Sequence, residues 1–302
     1  MVAPPFVSGR DLDEALGMAD AIAALEKAFS GALPATPARA HHAARGGELL
    51  VMPVLGEVLS AVKLVTVAPD NPARGLPAVQ GLCVCFDAET LAVRAVLDAA
   101  ALTALRTAAV SGLATRHLAQ PEAAHLVVFG AGVQARVHVE AMRAVRPIAD
   151  VTIVSRSAAR AQELARAVGA RVGHPTDVAA ADIVCTCTTS RSPVFPGRLL
   201  QPGCHVNAIG AYKPEARELD DDAVRGALVV VETREAALAE AGDVIAPLAT
   251  GAIGPDSLVE LAQVVKGEVG RASSDQRTVF KSVGQAFEDL AVAAAVLERL
   301  GL

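Results

Sequence analysis

Aromatic residues are scarce in this chain: they make up 3% of its 302 residues, with no tryptophan and a single tyrosine, Tyr212. Stacking platforms for single-stranded nucleic acid are built from aromatic faces, so this composition argues against that class of partner. Dense basic clusters are also missing. The 27 Lys and Arg against 33 Asp and Glu leave a formal charge of −6, which argues against any polyanionic partner. No apolar run approaches the roughly 20 residues that a membrane-spanning helix needs, so no membrane partner is expected. The opening residues MVAPP have neither the basic n-region nor the apolar h-region of a secretory signal. Cysteine is limited to five residues, an odd number that fits reduced thiols, and a cytoplasmic location is expected. Cys83/Cys85 and Cys185/Cys187 are C-x-C pairs in strand-like runs. Their Val and Thr neighbours favour core thiols over a metal site, and no metal is expected.

What is abundant is apolar residues, 52% of the chain, enough to bury a substantial core in two domains. Residues 11–30 have helical periodicity. The strand-like runs LLVMP, AVKLVTV and VQGLCVCF follow, with a further short strand closing at Leu97-Asp98. Thr103 is a good N-cap for a helix ending near Leu118. Strands in succession without β-α alternation point to an α+β domain. From His125 the texture changes: HLVVFG, DVTIVSR, ADIVCTCT, HVNAIG and GALVVVET read as strands, the first three linked by helical patterns. The expected fold class is therefore α/β. A doubly wound parallel Rossmann sheet over 119–278 follows an α+β domain over 1–118.

The turn FGAGVQA follows four apolar residues and opens a helical pattern. Gly130 allows the tight turn, and Gly132 lets backbone N–H groups of Val133 and Gln134 meet a pyrophosphate. Ala135 replaces the third glycine and still permits close helix–strand packing. About 20 residues on, an NAD site usually places Asp or Glu to accept from the ribose 2′-OH. This chain has Ser155-Arg156-Ser157, with Arg160 one turn later. Hydroxyls and a guanidinium suit a 2′-phosphate, so NADPH is expected in preference to NADH.

Arg106 lies three residues after the expected N-cap Thr103, where the helix dipole disfavours a cation. Such a side chain either faces solvent or joins the helix N-terminus in binding a carboxylate. Lys63 interrupts the strand run AVKLV and is likewise either outward-facing or functional. Arg39 lies in the loop before LLVMP.

In this order, TPARAHH, LLVMP, AVKLVTVAPDNPARGLPAVQG, LDAAALTALRTAA, FGAGVQA, HVNAIGAYKPEARELD and FKSVGQAFEDLA resemble the ornithine cyclodeaminase/mu-crystallin family over nearly the whole chain. The resemblance implies that 279–302 return to the first domain, making 1–118 and 279–302 one discontinuous α+β substrate and dimerisation domain, and that a homodimer forms through it. It implies a substrate carboxylate gripped by Arg39, Lys63 and Arg106, with His42 and Asn71 in the same binding set. Asn207, Gly210, Ser282 and Gly284 would lie near the nicotinamide ring, beside Thr186 and Thr188 at a strand end. Cyclodeaminases of the family look like G-x-D-x-P-G-K-x-E-L after the late strand, and that Asp is their catalytic carboxylate. Here Tyr212 stands in its place, which argues against ornithine cyclodeamination and is more like the family's cyclic-ketimine reductases.

The expected reaction is NADPH-dependent reduction of Δ1-pyrroline-2-carboxylate or Δ1-piperideine-2-carboxylate to the L-amino acid. A protonated C=N is already a strong hydride acceptor, so positioning can supply much of the acceleration. The catalytic set is Lys63, Arg106 and Tyr212. Tyr212, His41 and His42 are the candidate acids, should one be used. Glu218 and Asp220 are expected to cap or orient the following helix. Two rivals share the same residues. One is an amino-acid dehydrogenase or amine-condensing reductase acting on a 2-oxo acid. The other is a non-catalytic, NADPH-dependent small-acid binding protein.

Overall fold

The computed structural model describes residues 3–302; Met1 and Val2, at the head of the N-terminal stretch read above, lie outside them. The chain divides into two compact units. The first runs to Arg106 and resumes at Gln285, and the second is Thr107–Gly284.

In the first unit six strands form one sheet: β1 (Phe6–Val7), β2 (Ala40–Ala44), β3 (Gly47–Leu55), β4 (Leu59–Val67), β5 (Val79–Asp87) and β6 (Val93–Asp98). Their order is β1-β6-β5-β4-β3-β2, antiparallel except for the parallel pair β1/β6. The period of two sorts the side chains. Leu50, Met52, Val54, Ala61, Lys63, Val65, Cys83, Cys85, Ala95 and Leu97 are buried on one face. The opposite face carries Val51, Pro53, Val62, Leu64, Leu82 and Val84, with Leu64 38% and Leu82 45% exposed. Two helices near the N-terminus, α1 (Gly9–Ala15) and α2 (Met18–Ser30), and the C-terminal helix Ala286–Leu300 belong to this unit. The C-terminal helix packs on α2, β3 and β4, and Phe287 meets Phe29 edge-on at 5.1 Å.

Two local expectations change. The single helix expected over 11–30 is broken at Leu16-Gly17: both residues are extended, and Gly17 becomes the N-cap of α2. The next helix, α3 (Ala99–Leu118), begins four residues before Thr103, because Asp98 accepts hydrogen bonds from the backbone N–H groups of Ala100 (2.8 Å) and Ala101 (3.1 Å). Arg106 is therefore the eighth helical residue counted from Ala99. The helix dipole acts mainly within the first turn, so the expected convergence of Arg106 with a helix N-terminus does not occur.

The second unit holds an eight-stranded, all-parallel sheet of β7 (His125–Phe129), β8 (Asp150–Val154), β9 (Arg171–Val172), β10 (Ile183–Thr186), β11 (His205–Ala208), β12 (Leu228–Val231), β13 (Leu258–Glu260) and β14 (Thr278–Lys281). The order β13-β12-β14-β11-β10-β7-β8-β9 is doubly wound and reverses between β7 and β10. Helices α4 (Val133–Val145) and α5 (Ala158–Val168) follow β7 and β8. Both unit boundaries differ from the expected 118/119 and 278/279. β14 pairs with both β11 and β12, which places it in this sheet. The later part of α3 is bonded here too, through Ser111 to His138 at 2.9 Å and Thr115 to Asn207 at 2.9 Å.

All five cysteines are free, and burial pushes the Cys185 and Cys204 thiols up to about 12. Among the described residues no group of three or more His, Cys, Asp or Glu gathers as a metal site, and no helix is long and apolar enough to cross a membrane.

Candidate active site

In open α/β sheets ligands bind outside the carboxyl ends of the strands where the order reverses, here at the ends of β7 and β10. Gly130 leaves β7 with φ of +112°, and a Cβ there would stand 2.5 Å from the carbonyl oxygen of Cys187, just after β10. Only glycine fits that approach. Gly132 is the N-cap of α4 and makes no side-chain cap hydrogen bond; a Cβ built on it meets nothing within 4 Å. Val133, in the first turn, is 67% exposed, whereas Ala135 is fully buried. A helix N-terminus with open space before it fits a dinucleotide pyrophosphate. At the end of β8, Ser155 Oγ accepts from Ser157 N–H at 3.3 Å and Ser157 caps α5, while Arg156 and Arg160 are exposed.

The neighbouring loops are held by the buried carboxylates Glu218, Asp243 and Glu232, of which only Glu218 is expected from the sequence to have a local role. Glu218 is fully buried and accepts five hydrogen bonds: from Thr186 Oγ1 (2.9 Å), Thr188 N–H (2.8 Å), Thr188 Oγ1 (2.6 Å), Gly210 N–H (2.6 Å) and Ala211 N–H (3.3 Å). Burial pushes its carboxyl above the ordinary range, opposed chiefly by the Lys281 charge. Glu218 thus braces the loops after β10 and β11, whereas Asp220 alone caps the short helix Asp221–Val224. Asp243 accepts from the N–H groups of Glu218 (2.7 Å) and Leu219 (2.8 Å) and pairs with Lys281 at 3.0 Å. Lys281 also donates to the Ala211 carbonyl. Glu232, beyond β12, accepts from Ser282 Oγ (2.5 Å), Val283 N–H (2.8 Å) and Gly284 N–H (3.0 Å).

These bonds locate several expected cofactor residues. The hydroxyls of Thr186, Thr188 and Ser282 are bonded to carboxylates, while Gly210 and Gly284 give backbone to the braced turns. Asn207 is fully buried, its amide donating to Thr115 Oγ1 at 2.9 Å in the interior of the unit. Tyr212 is half-buried and packs against the hydrophobic core, with Lys213 Nζ 5.7 Å from its ring centroid.

In the first unit Lys63 and Arg106 come together at a single carboxylate. Lys63 Nζ lies 2.8 and 2.7 Å from the two Asp289 oxygens, and Arg106 Nε donates to the same Asp289 Oδ1 at 3.0 Å. Arg106 Nη1 reaches Glu288 Oε2 at 2.8 Å. All four residues are at most 5% exposed. Burial lowers the Lys63 pKa to about 8; Asp289 opposes that shift and Arg106 adds to it. The only local signal for Glu288 and Asp289 is an acidic pair inside the otherwise apolar segment AFEDLAVAAAVL. The other expected substrate ligands lie at β2 and in the turn after β4. Arg39 is half-buried just before β2, and His41 and His42 lie on β2, an exposed edge strand rather than a loop. His41 Nδ1 lies 3.2 Å from Glu48, and the Asn71 amide donates to the Pro77 carbonyl at 3.1 Å.

The profile of the ornithine cyclodeaminase/mu-crystallin family matches residues 6–301. The chain belongs to that family. Among the family's curated proteins, a Δ1-pyrroline-2-carboxylate reductase of Bacillus thuringiensis subsp. konkukian is 39% identical over 288 residues, 90% of this chain and 88% of the relative. The Thermococcus litoralis Δ1-pyrroline-2-carboxylate reductase, solved with NADH and L-proline, superposes with a TM-score of 0.92 at 32% identity, over 98% of this chain and 97% of that one. An archaeal alanine dehydrogenase dimer with bound NAD gives the same TM-score at 30% identity, over 98% and 95% of the two chains. As a family member of this kind the chain is a nicotinamide-dependent oxidoreductase.

The Glu218 brace makes a direct prediction. Glu218→Gln turns an NH2 donor toward N–H donors and removes the charge they stabilise. It is expected to cost about 2–4 kcal/mol of stability, read as a lower urea midpoint. An unchanged midpoint would show that the brace carries no stability.

Proposed function

We propose that this protein reduces a small cyclic imine carboxylate, Δ1-pyrroline-2-carboxylate or Δ1-piperideine-2-carboxylate, to the L-amino acid, with NADPH preferred. The observation that carries the reading is the meeting of Lys63 and Arg106 at one buried carboxylate in a member of this family. Two converging cations suit a substrate carboxylate, with the planar guanidinium binding it in a forked geometry. The similarity to Δ1-pyrroline-2-carboxylate reductases supports the same substrate class.

The nicotinamide supplies hydride to the imine carbon when bound. The chain's own part is binding and orientation. Gly130, Gly132 and the first turn of α4 receive the pyrophosphate, and Glu218 and Glu232 keep the loops after β10, β11 and β14 fixed without rearrangement. Lys63 and Arg106 fix the substrate by its carboxylate. A cyclic imine that arrives protonated needs no strong acid, which fits Tyr212 in place of the cyclodeaminase Asp. The rival favoured by a specific finding is oxo-acid amination, through the likeness to an alanine dehydrogenase.

NADPH preference rests on the end of β8, where Ser155, Arg156 and Ser157 offer no carboxylate for a ribose 2′-OH and the exposed Arg156 suits a 2′-phosphate. The homodimer rests on the outer sheet face of the first unit. There Val51, Leu64 and Leu82 stand in one row and Pro53, Val62 and Val84 in the next, an apolar surface suited to a second copy.

NADPH oxidation should be fast with the two cyclic imines and slow with pyruvate plus ammonia. The reverse ranking would transfer the protein to the dehydrogenase reading. Arg156→Ala is expected to weaken NADPH more than NADH by about 1–3 kcal/mol in binding titrations, and equal weakening would remove the 2′-phosphate contact. Leu64→Glu with Leu82→Glu should convert a dimer to monomers in light scattering, and a dimer that survives would place the interface elsewhere.

A further inference from the structure

The cluster in the first unit has a feature that a carboxylate clamp does not require. Its two cations are already matched by two acids, and all four side chains are buried. A lysine ammonium buried without a counter-charge loses its proton rather than bear the desolvation cost, and a neutral amine does not hold an anion. An arginine cannot take that route, so an unpartnered guanidinium would instead swing toward water.

We propose that Asp289 is a positioning residue: by bridging Lys63 and Arg106 it keeps Lys63 a cation at neutral pH and sets the two donors at a fixed spacing for a substrate carboxylate. This rests on the reading of Lys63 and Arg106 as the carboxylate clamp.

Three observations carry it. Asp289 Oδ1 is shared, 2.8 Å from Lys63 Nζ and 3.0 Å from Arg106 Nε, so one atom sets the distance between the two cations. Lys63 is embedded in the sheet, paired across β4 with Met52 on β3 and Cys83 on β5, neither of which is an acid at neutral pH. Glu288 is not a substitute: it reaches Arg106 and also accepts from the N-cap Gln285 N–H at 3.2 Å, so its position is tied to the start of the C-terminal helix. The charged and titratable groups facing Lys63 are therefore Asp289 from the C-terminal helix, Arg106 from α3 and Cys83 from β5. Burial and Arg106 act to deprotonate Lys63, and Asp289 is the principal group acting the other way. The lysine is a cation below about 8 and loses that charge as pH rises through it.

The test is the titration of Lys63 in the apoprotein, followed by the 13Cε and 15Nζ shifts and assigned with Lys63→Arg. Asp289→Asn should lower the midpoint by at least about one pH unit, and Asp289→Glu should return most of it. In turnover with Δ1-pyrroline-2-carboxylate, the KM of the native protein should rise as pH passes the Lys63 midpoint. In Asp289→Asn that rise should begin lower, leaving KM about tenfold higher near pH 8 with kcat changed less. If Asp289→Asn does not melt cooperatively, Asp289→Ser removes the same charge with less bulk and is held to the same midpoint shift. A Lys63 midpoint unchanged in whichever variant folds overturns the proposal, whatever the activity. A lowered midpoint in a protein that turns over neither imine supports the role of Asp289 and defeats only the choice of substrate.

Discussion

Charge buried in a low-dielectric interior has to be matched, and that requirement fixes the working parts of both units. In the first, Lys63 and Arg106 are held by Asp289 and Glu288. In the second, Lys281 answers Asp243, and Glu218 and Glu232 gather backbone N–H and hydroxyl donors from loops at the carboxyl edge of the sheet. Each match ties together segments that are distant in the chain. Loops otherwise free to wander become rigid there, because releasing one leaves a carboxylate or an N–H unsatisfied in the interior. The same networks carry a chemical consequence. A reaction that needs mainly positioning is served by a site whose geometry is set before the substrate arrives.

The glycine turn after β7 is a different kind of constraint, made of backbone and absence of side chain. Gly130 passes so close to the Cys187 carbonyl that a Cβ has no room, whereas the space beside Gly132, the N-cap of α4, is open. Tyr212 lies in a loop anchored by Glu218 and packs on the hydrophobic core.

Much of this was legible from local pattern. The alternation of strand and helix after His125 and the glycine turn gave the parallel sheet and its first crossover. Lys63 and Arg106 stood out as charges in apolar runs, and the structure brings the two to one carboxylate. Other readings failed where two local signals competed. Thr103 is a good cap, but Asp98 comes earlier and captures two N–H groups, so α3 starts at Ala99 and Arg106 lies beyond the reach of its dipole. Gly17 interrupts a periodicity that reads as continuous, and a glycine that offers an N-cap can end one helix and begin another. The expected domain boundary missed β14, whose place between β11 and β12 depends on pairing across the sheet.

The sequence by itself determined what depends on neighbours within a few residues: strand alternation, helical faces, the turn at Gly130 and the lack of an acid after β8. Tertiary structure alone decided the partners. Asp289 meets Lys63 across 226 positions and Arg106 across 183, and Glu218 reaches Thr188 across 30. Apart from the apolar neighbours of Asp289, nothing local to those acids distinguishes them from solvated charges on a helix or loop. The physical reason is that the preference of a backbone segment is set by its own atoms, whereas the cost of burying a charge is set by whichever element the fold packs against it.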